Sequence, residues 1–273
     1  MNRRQAIGRW VAPLLALFVL GPLAYAACAW LSARDGSQAV TLLVNANIVL
    51  GVLVLLVVLA IAAAAAFIGR LVDAVTALRS GGLVLAWAAM GMGRASSVFL
   101  LEQGFGTVLL LALEAACVTL AAGVLALVFW RPAEDETQSA ERTLWLPALV
   151  AAAAALLGAW LVAQSDLRAQ GVLAASLGAV LAGVAARLTA HSMSQDDAPA
   201  APYLGMLIAA VLAPLTALAF PGLGNLENAA FLNATPPLIS TVPLDWAAGA
   251  LLGVPLGQAW VASLAPSADR ATA

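Results

Sequence analysis

Charge is scarce in this sequence and lysine is absent. Of 273 residues only 10% are charged, every basic side chain is an arginine, and 63% of the residues are hydrophobic. An ordinary soluble domain carries roughly a quarter charged residues, so a water-soluble globule is excluded. Histidine is nearly missing as well: His191 stands alone in the polar stretch from Thr189 to Asp197. A metal or haem centre inside a helical bundle needs several imidazole or thiolate ligands. The two cysteines, Cys28 and Cys117, fall inside apolar runs, where a free thiol behaves as a small hydrophobe. No disulfide, metal or other cofactor is expected.

Other absences narrow the function. The net charge is −2 and no basic patch interleaves with aromatics, so the footprint of nucleic-acid binding is missing. There is no serine nucleophile elbow, phosphate-binding loop or dinucleotide fingerprint. Asp196-Asp197 lacks a second spaced carboxylate pair and reads as a solvated loop. The expectation is therefore no enzyme and no catalytic residue, although an ATPase on a separate chain remains compatible. No internal repeat is evident, so the inverted-repeat signature of many secondary transporters is not seen.

What remains is apolar run after apolar run. Seven are easily marked, at about 11–32, 40–69, 106–130, 144–164, 171–187, 204–223 and 246–264. A helix needs about 20 residues to cross a hydrocarbon core of ~30 Å. Barrel strands are far shorter, and only helices and closed barrels satisfy every backbone group in lipid. The fold class is an all-α, polytopic transmembrane helical bundle, one domain over residues 1–273, with the lipid bilayer as its first partner.

The stretch from Gly81 to Leu101 decides between eight spans and seven, because Arg94 interrupts it. If it lies on the surface, seven spans leave seven arginines on the N-terminal side and five on the other. If it crosses, nine arginines fall on the N-terminal side, only Arg34 and Arg168 on the other, and Arg94 in the membrane. Arginine is enriched in cytoplasmic loops, so eight spans with both termini cytoplasmic are preferred. The all-Arg, Ala-rich usage points to a GC-rich bacterial genome and hence to the inner membrane. Arg3, Arg4 and Arg9 ahead of Ala24-Tyr25-Ala26 imitate a signal peptide, or a twin-arginine one; with so many spans following, the segment is read as an uncleaved first helix. Trp10, Trp30, Trp130, Trp145, Trp160 and Trp246 fall near run ends, as interfacial indoles do.

The loops are short. Arg131–Thr143 is acidic and reads as solvated. The segment Gly224–Asp245, rich in Asn and Pro, reads as a proline-stiffened outer loop whose middle, Ala229 to Leu232, is apolar enough to dip into the interface; Asn233-Ala234-Thr235 is only a weak match to a glycosylation acceptor.

Candidate functional residues are the polar ones that lie within spans. In the eight-span reading, runs three and four turn around Gly104, and Arg94 and Glu114 each lie ten residues from it. Both then sit roughly 10–12 Å inside the outer helix ends, at ~1.5 Å per residue. Ionisable residues at such depth pair with one another or line a cavity, so an Arg94–Glu114 ion pair is expected. Asn45 and Asn47 lie at similar depth in run two and complete an outer-half polar cluster; Gln258 sits deeper in the last run. Gly91, Arg94 and Ser97 at three-residue spacing suit a close-packed third helix with its Arg pointing inward. Two functions follow: a permease or membrane subunit of a transport system working through this cluster, or a non-catalytic scaffold or accessory subunit in which the same residues lock helices. Both imply other membrane or membrane-associated subunits as partners.

Overall fold

A computed structural model describes residues 3–33, 35–101, 104–129, 144–165, 167–193, 199–219, 228–232 and 235–264. The acidic loop at 131–143, Arg34, Asp196-Asp197 and the Asn233 acceptor site lie outside the described residues. The helices are α1 (Arg3–Leu15), α2 (Gly21–Cys28), α3 (Ile48–Arg70), α4 (Ala74–Met90), α5 (Ala95–Leu101), α6 (Phe105–Phe129), α7 (Trp145–Val162), α8 (Arg168–Ser192), α9 (Ala201–Leu215) and α10 (Pro243–Leu264). The chain is a transmembrane helical bundle: among the described residues seven helices are long and apolar enough to cross a membrane, with α1 and α2 together forming the first.

That first span is continuous but uneven. A π-helical turn, Ala16–Leu20, joins α1 to α2. Pro22 follows it and has no N–H to return to the carbonyl one turn back, a known cause of such local unwinding.

The eighth helix, α4, is shorter at 17 residues, yet ~1.5 Å per residue gives it about 25 Å of length. It runs between the same two levels as the first span. Just before α4, Val72 lies against Gly8; just after it, Gly91 lies against Cys28 and Tyr25. This shifts the expected third run: the helix is 74–90, not 81–101. Asp73 starts it, accepting the Thr76 N–H at 2.7 Å, and Arg79 is exposed on its surface rather than ending it. Gly91 to Arg94 break the chain before the separate short helix α5.

The second run is also divided. The sequence suggests one helix from residue 40, but residues 40–46 form a bent, non-helical strap and α3 begins only at Ile48. Asn47 accounts for the boundary, its side chain accepting from the N–H groups of Val49 and Leu50 at 3.1 and 3.2 Å. Ala39 through Asn45 are buried. Irregular backbone at membrane depth is tolerated only where protein or a water-filled cavity covers it.

Small residues set the packing. In lipid, helices associate through close contact and hydrogen bonding rather than apolar burial. On α10, Gly249, Gly253 and Gly257 recur every four residues and lie directly on the α8 backbone at Ala175, Ser176 and Val180. Gly183 of α8 returns the contact on Val254. Gly178 of α8 meets Ala155 of α7, and Gly205 of α9 meets Ala148. The core is accordingly dominated by Ala, while Leu53, Phe67, Leu109 and Leu120 point outward, as lipid-facing side chains do. Trp10, Trp30, Trp145, Trp160 and Trp260 are exposed near helix ends, but Trp246 is fully buried; it is a core residue and not part of the interfacial belt.

Candidate functional site

The site lies toward the face opposite the N-terminal end of α1, where the strap, the break at 91–94 and the first turns of α6, α8 and α10 meet. Its centre is Glu114, fully buried on α6, nine residues and thus about 13 Å from the start of that helix. Its carboxylate grips the strap: Oε1 accepts the Leu42 N–H at 2.9 Å and Oε2 the Leu43 N–H at 2.7 Å. The Thr41 hydroxyl also hydrogen-bonds it, while Thr41 Oγ1 accepts from the Val44 N–H at 3.0 Å.

Asn45 holds the same peptide from its other end, donating to the Leu42 carbonyl. Its own side-chain oxygen accepts the Asn47 N–H at 2.6 Å. Three candidates, Glu114, Asn45 and Asn47, are therefore brought together, all engaged with the strap or its junction with α3. Asn47 acts as the α3 cap and is exposed; Asn45 is buried.

Arg94 does not join them. Its side chain is exposed in the break after α4, and both carboxylate oxygens of Glu114 are taken by backbone N–H groups. The expected ion pair is corrected accordingly: with the helix at 74–90, Arg94 lies beyond its end and is exposed. The break itself touches the strap, the Gly93 N–H donating to the Ala39 carbonyl at 2.9 Å and Gln38 to the Gly91 carbonyl. Gln258 lies apart, fifteen residues into α10 and about 22 Å along it. Its backbone carbonyl accepts from Arg187 at 2.9 Å.

Sequence reasoning missed a buried ion pair, Arg168 with Asp245. Arg168 Nη2 stands 2.6 Å from Asp245 Oδ1, with Asp245 fully buried and the Arg168 side chain 10% exposed. The same guanidinium donates to the Ala89 carbonyl at the end of α4, through Nε and Nη2 at 3.2 Å each. Asp245 Oδ2 accepts the Val242 N–H at 2.8 Å, so the acid reaches back to the residue that precedes Pro243, as the acidic half of a capping box does. One ion pair thus ties the ends of α4, α8 and α10. The available signal was that an Arg and an Asp both fell on the side assigned to the outer loops.

Beside the strap lies a narrow cavity of about 10 Å³, close to what a single water needs. Thr41, Phe99, Leu111, Pro214, Thr241 and Trp246 are among its walls. The buried Trp246 indole N–H has no hydrogen-bond partner among the described residues, and neither have Ser80, Thr119 and Tyr203 or the side-chain oxygen of Gln258. Those last four are on α4, α6, α9 and α10, helices packed around α10, and Ser80, Tyr203 and Gln258 lie in the half of their helices toward the N-terminal face.

No known family model, characterised protein or solved structure matches this chain. The functional reading therefore rests on the site.

Proposed function

We propose that the chain is an integral membrane permease, or the membrane subunit of a transport system, whose path runs through the cavity beside the strap. The observation that carries this reading is the pairing of two chain breaks. The strap at 40–46 and the break at 91–94 meet each other next to the cavity, through Gly93 and Ala39. Discontinuous spans at a polar site are what transporters use to present backbone groups to a substrate or ion. The unpartnered side chains of Ser80, Thr119, Tyr203 and Gln258 support a continuation toward the N-terminal face, because an orphaned buried polar group costs about 1–3 kcal/mol and a purely structural bundle gains nothing by keeping several.

With α4 crossing, the nine arginines at positions 3, 4, 9, 70, 79, 131, 142, 187 and 270 stand against three at 34, 94 and 168. That bias supports a cytoplasmic N-terminal face and an inner-membrane location. A transport role, not an enzymatic one, fits a site without nucleophile or general-base partner, and other membrane subunits are expected partners.

A scaffold or accessory role is the second reading, favoured by the complete hydrogen bonding of Glu114 to backbone groups, which is how an intramembrane lock is built. Two-sided labelling separates them. Single cysteines at Thr241 and at Thr119, in a chain with Cys28 and Cys117 replaced by alanine, are exposed to a membrane-impermeant thiol reagent from each side. A permease makes Thr241→Cys reactive from the strap side and Thr119→Cys from the N-terminal side. A scaffold leaves both as inert as a cysteine at buried Ala122.

A further inference from the structure

We propose that Glu114 is a proton-binding site loaded from the cavity through the hydroxyl of Thr41. The inference deepens the transport reading and rests on it only for the use made of the proton.

Glu114 is fully buried, and no cationic side chain is among its partners. The titratable groups on the elements packed around α6 are placed elsewhere. Asp245 of α10 is held by Arg168, and Tyr203 of α9 lies beside Gly123, nine residues along α6. Arg70 ends α3 and Arg79 lies near the start of α4, both toward the N-terminal face. Arg94 is exposed in the break, and Cys117 on α6 itself faces outward. Among the described residues, the groups that answer the carboxylate are neutral donors. A lone intramembrane charge is costly, and taking up a proton removes it.

Thr41 is built to pass that proton. A hydroxyl has one donor and two acceptor positions; one acceptor position takes the Val44 N–H, leaving a donor and an acceptor. Toward the carboxylate Thr41 donates; toward the carboxylic acid it accepts. Its side of the strap lines the cavity. In the transfer, a hydronium in the cavity gives a proton to Thr41 Oγ1 as the Thr41 O–H proton moves to Glu114, so one O–H bond forms on each acceptor and one breaks on each donor, leaving water, an intact hydroxyl and a neutral acid. The cavity is narrow enough to suit single waters, and the unpartnered Trp246 N–H in its wall calls for an occupant with an acceptor oxygen, which water supplies.

Protonation also acts on the strap. The ionised group accepts both the Leu42 and Leu43 N–H groups; the neutral acid keeps one carbonyl acceptor and turns its other oxygen into a donor. The strap N–H on the protonated oxygen is then held more weakly, so proton uptake loosens the strap that walls the cavity.

The test is infrared difference spectroscopy of the purified full chain in lipid as the pH is lowered. A carboxylic-acid carbonyl band should appear, vanish in Glu114→Gln and shift in Glu114→Asp, which also covers the case in which the glutamine variant does not accumulate. Thr41→Val should keep the band but slow its deuterium exchange by about a hundredfold, the lower range for a positioned proton-transfer group. A band that persists unmoved in the Glu114 variants, no band at all while the protein stays folded, or unchanged exchange in Thr41→Val each overturns the proposal. Failure of the two-sided labelling with this band intact would sink transport and leave the proton site standing.

Discussion

Arg168 and Asp245 open two parallel helices and close on each other at 2.6 Å, 77 residues apart in sequence. Below them α8 and α10 run in close contact from Gly171, against the Asp245 side chain, to Gly183, against the Val254 backbone. The ion pair fixes the register at the top of that contact, and the bond from Arg187 to the Gln258 carbonyl fixes it further down. Removing one buried partner leaves an uncompensated charge, a loss of about 3–5 kcal/mol, whereas replacing both with apolar residues is often nearly neutral. Asp245→Ala should therefore sharply lower thermal stability in detergent, and adding Arg168→Met should restore most of it. A double variant as unstable as the single one would show that Asp245 matters through its bond to the Val242 N–H instead.

The glycine stripe makes a second, sharper contrast. A Cβ at Gly253 would meet the Ser176 carbonyl oxygen, which is backbone and cannot rotate away; a Cβ at Gly106 would meet nothing within 4 Å. Overpacking of this kind costs typically about 1–3 kcal/mol. Gly253→Ala should lower the unfolding temperature and the membrane abundance, and Gly106→Ala should change neither. Equal behaviour of the two would mean that α8 and α10 separate freely.

Much of this was legible in the sequence and some could not be. Run lengths gave the bundle, and the isolation of Glu114 in an apolar run marked it as a residue that must find a partner. The partner was hidden because it is backbone: no side-chain pattern announces that Leu42 and Leu43 leave the helix and offer their N–H groups. Arg94 was misplaced for a related reason. The third stretch was started at Gly81, past Arg79 and Ser80, although Arg79 sits on an exposed face of the helix and Ser80 is buried in the core, so the helix was drawn seven residues too late. The Gly249, Gly253 and Gly257 spacing was visible but meaningful only once α8 was known to lie against it.

Acid sensitivity should show at the opposite face, where Arg9 Nε meets Asp73 Oδ2 at 2.8 Å. Partial burial alone would raise the Asp73 carboxyl, but the Thr76 N–H and hydroxyl and the Arg9 guanidinium outweigh it and hold the group below the usual carboxylate range. A depressed folded value means that the contribution is whole above the unfolded pKa of about 3.9 and is lost as pH falls through the folded one. Arg9 is half exposed, so the pair itself adds little, and the cap on α4, typically about 1 kcal/mol, dominates. Amide exchange at Ala74 to Ala77 should quicken below that range in the native chain. Asp73→Asn keeps an acceptor for Thr76 and should flatten the pH dependence; a flat native profile would remove Asp73 from the account of how α4 begins.

The direction of α4 sets everything that depends on sidedness. Its ends lie at the levels of Gly8 and Cys28, and a helix that matches the first span in depth must cross wherever that span crosses. Reporter fusions after Arg142 and after His191 should then read cytoplasmic, and a fusion at Gly104 periplasmic. If α4 stayed on one side, the fusions at Arg142 and His191 would both read periplasmic, and the arginines would fall back to seven against five, too even to orient a chain by the positive-inside rule. The strap follows the first span and stays periplasmic in either case, so the start of α6 would then lie on the opposite side of the membrane from Leu42 and Leu43, which Glu114 holds. The Gly104 fusion therefore tests whether Glu114 lies on the strap's side of the membrane, independently of whether it is loaded at all.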